Sequence, residues 1–282
     1  MNIPEDLMKR SVLITLSTAF LFSTFNLYAV DTLYTSFNDD VKNYTQINYN
    51  VTSKFGEYYR TVDSKTSHIL DENGREIEVA EYTSKDILID KVTNSYDSFN
   101  NLTESVFTDS DGKILIKTVY TYDEGGILKD ETEYDNSGNL IDKTIYKNET
   151  GKNTQSLYDS NGKLLTRIIT TYKNNLKERV EEYSGDGLLQ TLDLYSYNSK
   201  GKILQILHSE NFEDNSKKYT FKYDANSILT EIQVYNNASA LIERDIYKSD
   251  SSGNTTRVSV YSVAKKFGTT TNELESITEF SF

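Results

Sequence analysis

The chain of 282 residues has no cysteine and no tryptophan, one proline and two histidines. Without cysteine there can be no disulfide, no thiolate nucleophile, no Cys-based zinc or iron–sulfur site, and no lipid anchor attached to a cysteine at a cleavage point. Strand pairing and packing alone must hold the fold. The two imidazoles, His68 and His208, lie far apart in sequence and outside the spacings used by metal sites. No nucleophile-elbow sequence is present, so nucleophilic catalysis has little to draw on. The hydrophobic fraction of 37% is low for a compact globule, which implies a thin core. Positive charge is also scarce. Lys and Arg total 30 against 43 Asp and Glu, a net charge of −13, and no basic stripe interrupts it. That balance disfavours nucleic-acid binding and adhesion to anionic lipid.

Tyrosine is abundant, at 22 residues. With many β-branched residues it favours strands, with amphipathic rings supplying much of the buried area. At the N-terminus, Lys9 and Arg10 precede an apolar run from Val12 to Phe25, and Leu27-Tyr28-Ala29 offers a small residue for a signal peptidase. Residues 1–29 therefore read as a signal peptide cleaved after Ala29. A start at Met8 would place Met-Lys-Arg directly before the apolar run. The run is shorter than the ~20 apolar residues of a spanning helix, so no membrane span is expected after cleavage.

The strongest signal is internal repetition. An aromatic, Asp, two or three turn residues with Gly, and then an aliphatic recur as Tyr122-Asp123-Glu124-Gly125-Gly126-Ile127-Leu128, Tyr134-Asp135-Asn136-Ser137-Gly138-Asn139-Leu140 and Tyr158-Asp159-Ser160-Asn161-Gly162-Lys163-Leu164. Looser copies start at Tyr96, Phe107, Tyr146, Tyr183, Tyr197, Tyr223, Tyr235 and Tyr247. Asp starts each turn by bonding the backbone, and Gly accepts the positive φ that closes it. Between turns, Tyr219, Phe221 and Tyr223 alternate with Lys218, Thr220 and Lys222, the period of a half-buried strand. The expected fold is all-β, a tandem-repeat antiparallel meander forming an extended or curled sheet. Residues 30–67 read as a β-rich N-terminal cap, 68–261 as the repeat region, and 262–282 as a C-terminal cap on the opposite edge.

At its Tyr-Asp-x-x-Gly core the sequence resembles the YD repeats of the Rhs family, bacterial cell-surface and toxin-shell proteins. The resemblance implies a secreted or surface β-repeat protein. The Arg that usually follows the family's Gly is replaced here by Lys163, Asn139 or Ile127, and the copies are shorter.

Few residues suggest chemistry. Thr108-Asp109-Ser110-Asp111-Gly112 resembles part of a calcium loop but lacks the first ligand and the closing Glu, so an Asx-turn is the expectation. No metal or cofactor is expected. Tyr122, Tyr134, Tyr146 and Tyr158 are the candidate binding residues, because a row of rings on a sheet can receive sugar faces or extended peptides. The competing role for each is to clamp its hairpin by cross-strand pairing. Strand-by-strand reversal places Tyr122 and Tyr146 on one edge, Tyr134 and Tyr158 on the other. The reading is a non-enzymatic exported protein, periplasmic, secreted or on the cell surface, with a glycan or envelope protein as partner. The alternatives are an outer-membrane β-barrel and an envelope polysaccharide hydrolase.

Overall fold

The computed structural model describes residues 34–210, 216–266 and 268–282, so the export signal read at residues 1–29 lies outside the described residues. Its organising unit is the turn. In the Asp135 copy, Asp135 Oδ1 accepts the N–H groups of Ser137 and Asn139, each at 2.8 Å, while Gly138 donates to the Asp135 carbonyl at 3.0 Å from a φ of 80°. Glycine takes that φ without strain, whereas any Cβ there would crowd its own backbone. The same pattern recurs from Asp71 to Asp250.

Eighteen strands separate the turns: β1 (Asn43–Lys54), β2 (Glu57–Leu70), β3 (Glu76–Thr83), β4 (Leu88–Tyr96), β5 (Leu102–Asp109), β6 (Ile114–Tyr122), β7 (Leu128–Asp135), β8 (Leu140–Glu149) and β9 (Lys152–Asp159) in the first half. The second half comprises β10 (Leu164–Lys173), β11 (Leu176–Ser184), β12 (Leu189–Tyr197), β13 (Ile203–Glu210), β14 (Lys217–Tyr223), β15 (Leu229–Tyr235), β16 (Leu241–Ser249), β17 (Thr255–Lys266) and β18 (Thr269–Ser281). Each pairs antiparallel with the next, so one repeat copy contributes one strand and one turn, and successive turns fall on opposite rims.

The sheet is closed. β1 pairs with β2 and also with β18, Ile47 opposite Glu279 and Tyr49 opposite Ile277, which makes an 18-stranded barrel. The terminal segments read from sequence as caps on opposite edges are therefore neighbours, and between them they remove the edges instead of covering them. The described chain enters and leaves at one rim, called the lower rim below; the β1–β2 turn lies at the upper rim.

Register sorts the residues into two faces. Val79, Val92, Phe107 and Ile116 lie side by side across β3 to β6, face inward and are at most 6% exposed. Ile206, Tyr219, Val234, Phe221, Ile232, Tyr247 and Val258 form a larger inward cluster across β13 to β17. Each such side chain contributes about 1.5–3 kcal/mol. Barrels of 16–18 strands can enclose water, but here the inward apolar side chains are buried. The segment before β1 adds to this filling. The Tyr34 ring meets Phe221 edge-on at 5.0 Å, Phe37 sits 4.7 Å from Tyr44, and Thr255 N–H donates to the Ser36 carbonyl at 2.8 Å.

The outward face carries ion pairs. Lys91 bonds Glu78 at 3.1 Å, Lys117 bonds Glu104 at 2.5 Å, Lys143 bonds Asp130 at 3.2 Å and Arg244 bonds Glu231 at 2.6 Å.

Candidate functional site inside the barrel

The inward face is not uniformly apolar. On β6 to β9, pairing brings Tyr120 opposite Glu131, Thr118 opposite Glu133, Glu133 opposite Asp142, and Tyr146 opposite Gln155. Three carboxyls and two phenols thus share one patch of the inner wall. The Tyr146 hydroxyl donates to Glu131 Oε2 at 2.8 Å. The nearby cations point the other way, since Lys117 and Lys143 are spent on the outer wall. Burial is accordingly the largest influence on these acids. It pushes Glu131 up to about 7, with the Tyr146 hydrogen bond opposing and Asp142 adding to the shift. Burial, then Asp142 and Glu131, raises Glu133; burial raises Asp142. Tyr120 and Tyr146 are pushed upward by burial and then by Glu131. Across the barrel, burial and then Glu243 push Asp245 up to about 7. These carboxyls take up protons near neutral pH and can accept hydrogen bonds.

Both histidines are used inside the wall. His68 Nδ1 lies 2.6 Å from Glu76 Oε1, and its ring stacks on Tyr44 at 4.2 Å and 6°. His208 Nδ1 lies 2.6 Å from Asp193 Oδ1, a hydrogen bond that raises its pKa. Among the described residues no group of three or more His, Asp or Glu is arranged to hold a metal ion. Asp109 serves its own turn, accepting from the Asp111 and Lys113 N–H groups.

The four tyrosines singled out by sequence are separated. Tyr122 and Tyr146 lie toward the lower rim and face inward, where the Tyr122 hydroxyl donates to the Leu102 carbonyl at 2.7 Å and Tyr146 is 9% exposed. Tyr96 and Tyr223 make the same tie, to the carbonyls of Glu76 and Ile203. Tyr134 and Tyr158 lie at the upper rim and face outward, opposite Lys117 and Lys143. They belong to a larger set that the sequence reading did not isolate. Tyr82, Tyr183, Tyr235 and Tyr261 stand at equivalent outward positions, opposite Lys65, Arg167, Lys218 and Arg244. The available signal was the return of Tyr, Lys and Arg at every second copy. The inner acids gave less signal, because an acid in a strand reads as solvated until register assigns its face.

A cleft of about 330 Å³ opens beside this tyrosine set, lined by Leu164, Arg167, Ile169, Tyr183 and the Ser184–Gly187 turn. Gly185 is required there, since a Cβ would fall 2.0 Å from the Leu164 carbonyl oxygen.

No family model matches the chain, and no curated protein matches it. Among solved structures, a porin-like protein from Bacteroides uniformis overlays with a TM-score of 0.46 at 13% identity, over 84% of this chain and 96% of that one. A Bacteroides fragilis protein of unknown function overlays at 0.19 and 13% identity, over 55% of this chain and 88% of that one. A chain of the TcdB2-TccC3-Cdc42 structure overlays at 0.17 and 11% identity, with 75% of this chain on 20% of that one. Overlays at this level carry no argument about function. The resemblance to the YD repeats of the Rhs family rests on the motif residues alone.

Proposed function

We propose that the protein is a non-enzymatic, exported β-barrel of the cell envelope, acting as a binding or structural element with its outer wall in water. The ladder of outward ion pairs carries this reading. A lipid-facing wall needs an apolar band ~25 Å tall, and a charge at its middle costs ~2–4 kcal/mol. On β8 only Ile145 stands between the outward Lys143 and Lys147, a span of roughly 13 Å along the strand. A glycan or an envelope protein remains the partner class we favour. The outward tyrosines and the cleft at Arg167 and Tyr183 offer a ring and a free guanidinium on the accessible side. The hydrolase reading has a carboxyl pair in Glu133 and Asp142, but it sits behind the wall, with Glu133 7% exposed.

The second reading, an outer-membrane barrel, draws on the closed meander and on the tyrosines outside the upper rim, which match one of the two aromatic girdles of such proteins. Envelope fractionation separates the two. Recovery of the mature chain in the aqueous fraction without detergent is the expected result. Release only by detergent would select the outer-membrane barrel.

A further inference from the structure

The hairpins that close the barrel also project from it. β1, β2, β17 and β18 have 12 to 14 residues, against 7 to 10 in every other strand. The last β2 residue paired with β3 is Ser64, opposite Thr83. Glu57–Asp63 therefore extend past the upper rim by roughly 20 Å at ~3.3 Å per residue.

The tip of the β1–β2 hairpin is a two-residue loop, Phe55-Gly56, with φ of 56° and 84°. Two positive values define the type I′ turn, whose first position strongly prefers Asn, Asp or Gly. Among the described residues, Asn174-Asn175 form another loop of this kind, at 52° and 62°. A phenylalanine in the left-handed region is strained, so its presence at Phe55 calls for a gain elsewhere. No such gain is made among the described residues, where Phe55 is 103% exposed and its neighbours Tyr58 and Tyr59 are 50% and 53% exposed. Bare aromatics at a projecting tip mark a contact with something else.

The charge of the tips narrows the partner. Residues 51–60, 263–266 and 268–272, in the two projecting hairpins, contain Lys54, Lys265 and Lys266 against a single acid, Glu57, in a chain of net charge −13, while Arg60 is paired with Glu279 at 2.7 Å and Asp63 lies back toward the rim. The acidic turns Asp109, Asp135 and Asp159 lie back at the rim. A separation of roughly 20 Å is about two Debye lengths at physiological salt, so these turns repel little at the tip. A convex tip with rings on both sides of a thin hairpin has no groove to match a rigid protein surface, whereas a bilayer interface moulds around it and accepts aromatics beside Lys.

We propose that the β1–β2 tip, supported by the adjacent β17–β18 hairpin, is a peripheral docking site for an anionic lipid bilayer, with Phe55 entering the headgroup–acyl boundary and Lys54 and Lys265 meeting lipid phosphates. This does not depend on the proposed function above. A barrel that spans the membrane resists salt extraction, whereas this contact releases in salt. The test is co-sedimentation of the mature chain with phosphatidylcholine vesicles, with and without about one-third phosphatidylglycerol. Binding is expected only with the anionic lipid, and reversal at high salt. Phe55→Asn restores the preferred Asn-Gly turn, so its melting temperature should be equal or higher while vesicle binding falls by about tenfold or more. Because the chain has no tryptophan, Phe55→Trp reports on the tip alone, and its emission should shift to the blue on adding anionic vesicles. Binding unaffected by Phe55→Asn, an unshifted Phe55→Trp emission, or failure to bind either vesicle would overturn the proposal, the last directing the search to a protein partner.

Discussion

Glu133 and Asp142 stand directly opposite each other on β7 and β8 with both carboxyls on the inner wall. Like charges paired across a sheet are unfavourable, and burial compounds the cost, so the folded barrel holds protons that the unfolded chain releases.

The sign of the resulting pH dependence follows. Glu131 is pushed from 4.5 up to about 7 by burial, and Glu133, Asp142 and Asp245 move the same way. Over that interval the native state binds more protons than the unfolded state, so stability falls as pH rises. In the other direction, hydrogen bonds within their own turns hold Asp97, Asp135 and Asp250 low, and their contribution is lost on acidification. Urea melts should show the barrel losing at least about 1 kcal/mol between about pH 5 and about pH 8. Glu133→Gln should flatten that slope. An unchanged slope would place the titrating groups elsewhere.

Ser239 occupies the turn position filled by Gly138 in the Asp135 copy, at a φ of 57° against 80°. Its N–H makes the same bond, to the Asn236 carbonyl at 2.9 Å. Ser239→Gly should relieve left-handed strain and stabilise by about 0.5–1 kcal/mol, raising Tm by about 1–3 °C. Gly138→Ala should move Tm the opposite way. Matched thermal melts check both.

Facing can be tested with two neighbouring positions. Ile116 points inward beside Phe107 and is 6% exposed, while Val119 points outward opposite Glu104. Ile116→Lys buries an unpaired charge and should cost more than about 3 kcal/mol, whereas Val119→Lys should cost less than about 1 kcal/mol. Equal costs in denaturant melts would mean that the faces are reversed.

These results show which parts of the structure the sequence made legible. The Asp-x-x-Gly turns and the alternation at Tyr219, Phe221 and Tyr223 are local, and both appear as expected. The ion-pair ladder was also visible, since each base follows its acid by thirteen residues in Glu78 and Lys91, Glu104 and Lys117, Asp130 and Lys143, and Glu231 and Arg244. Its meaning needs register, because Glu131 beside Asp130 faces inward and is the buried one. A bulge at the turns of the Asp135 kind, as where the register shifts between Thr121 and Tyr122, breaks any parity counted straight along the chain. Closure left no local trace at all. The contact of Tyr49 with Ile277 joins residues more than 200 positions apart, and such pairing is set by the curl of the whole sheet.

Closure also makes strand number testable. A ring in which every neighbour is antiparallel requires an even count, and this barrel has 18 strands. Deleting Asp135 to Tyr146 removes one copy and leaves an odd number, so every later strand reverses and β18 reaches β1 in the parallel sense. Two edges must then open, with the aggregation that exposed edges invite. Deleting Asp135 to Tyr158 removes two copies. It joins Tyr134 to Asp159, keeps an Asp-x-x-Gly turn, and sets Leu164 opposite Tyr134 as it now sits opposite Tyr158. Inward and outward positions are preserved, and a barrel two strands smaller can close. The larger deletion should therefore melt cooperatively as a monomer, while the smaller one should lose cooperativity or aggregate. Urea melts with light scattering on both proteins decide it, and a two-copy deletion no more stable than the one-copy deletion would show that antiparallel closure does not govern this fold.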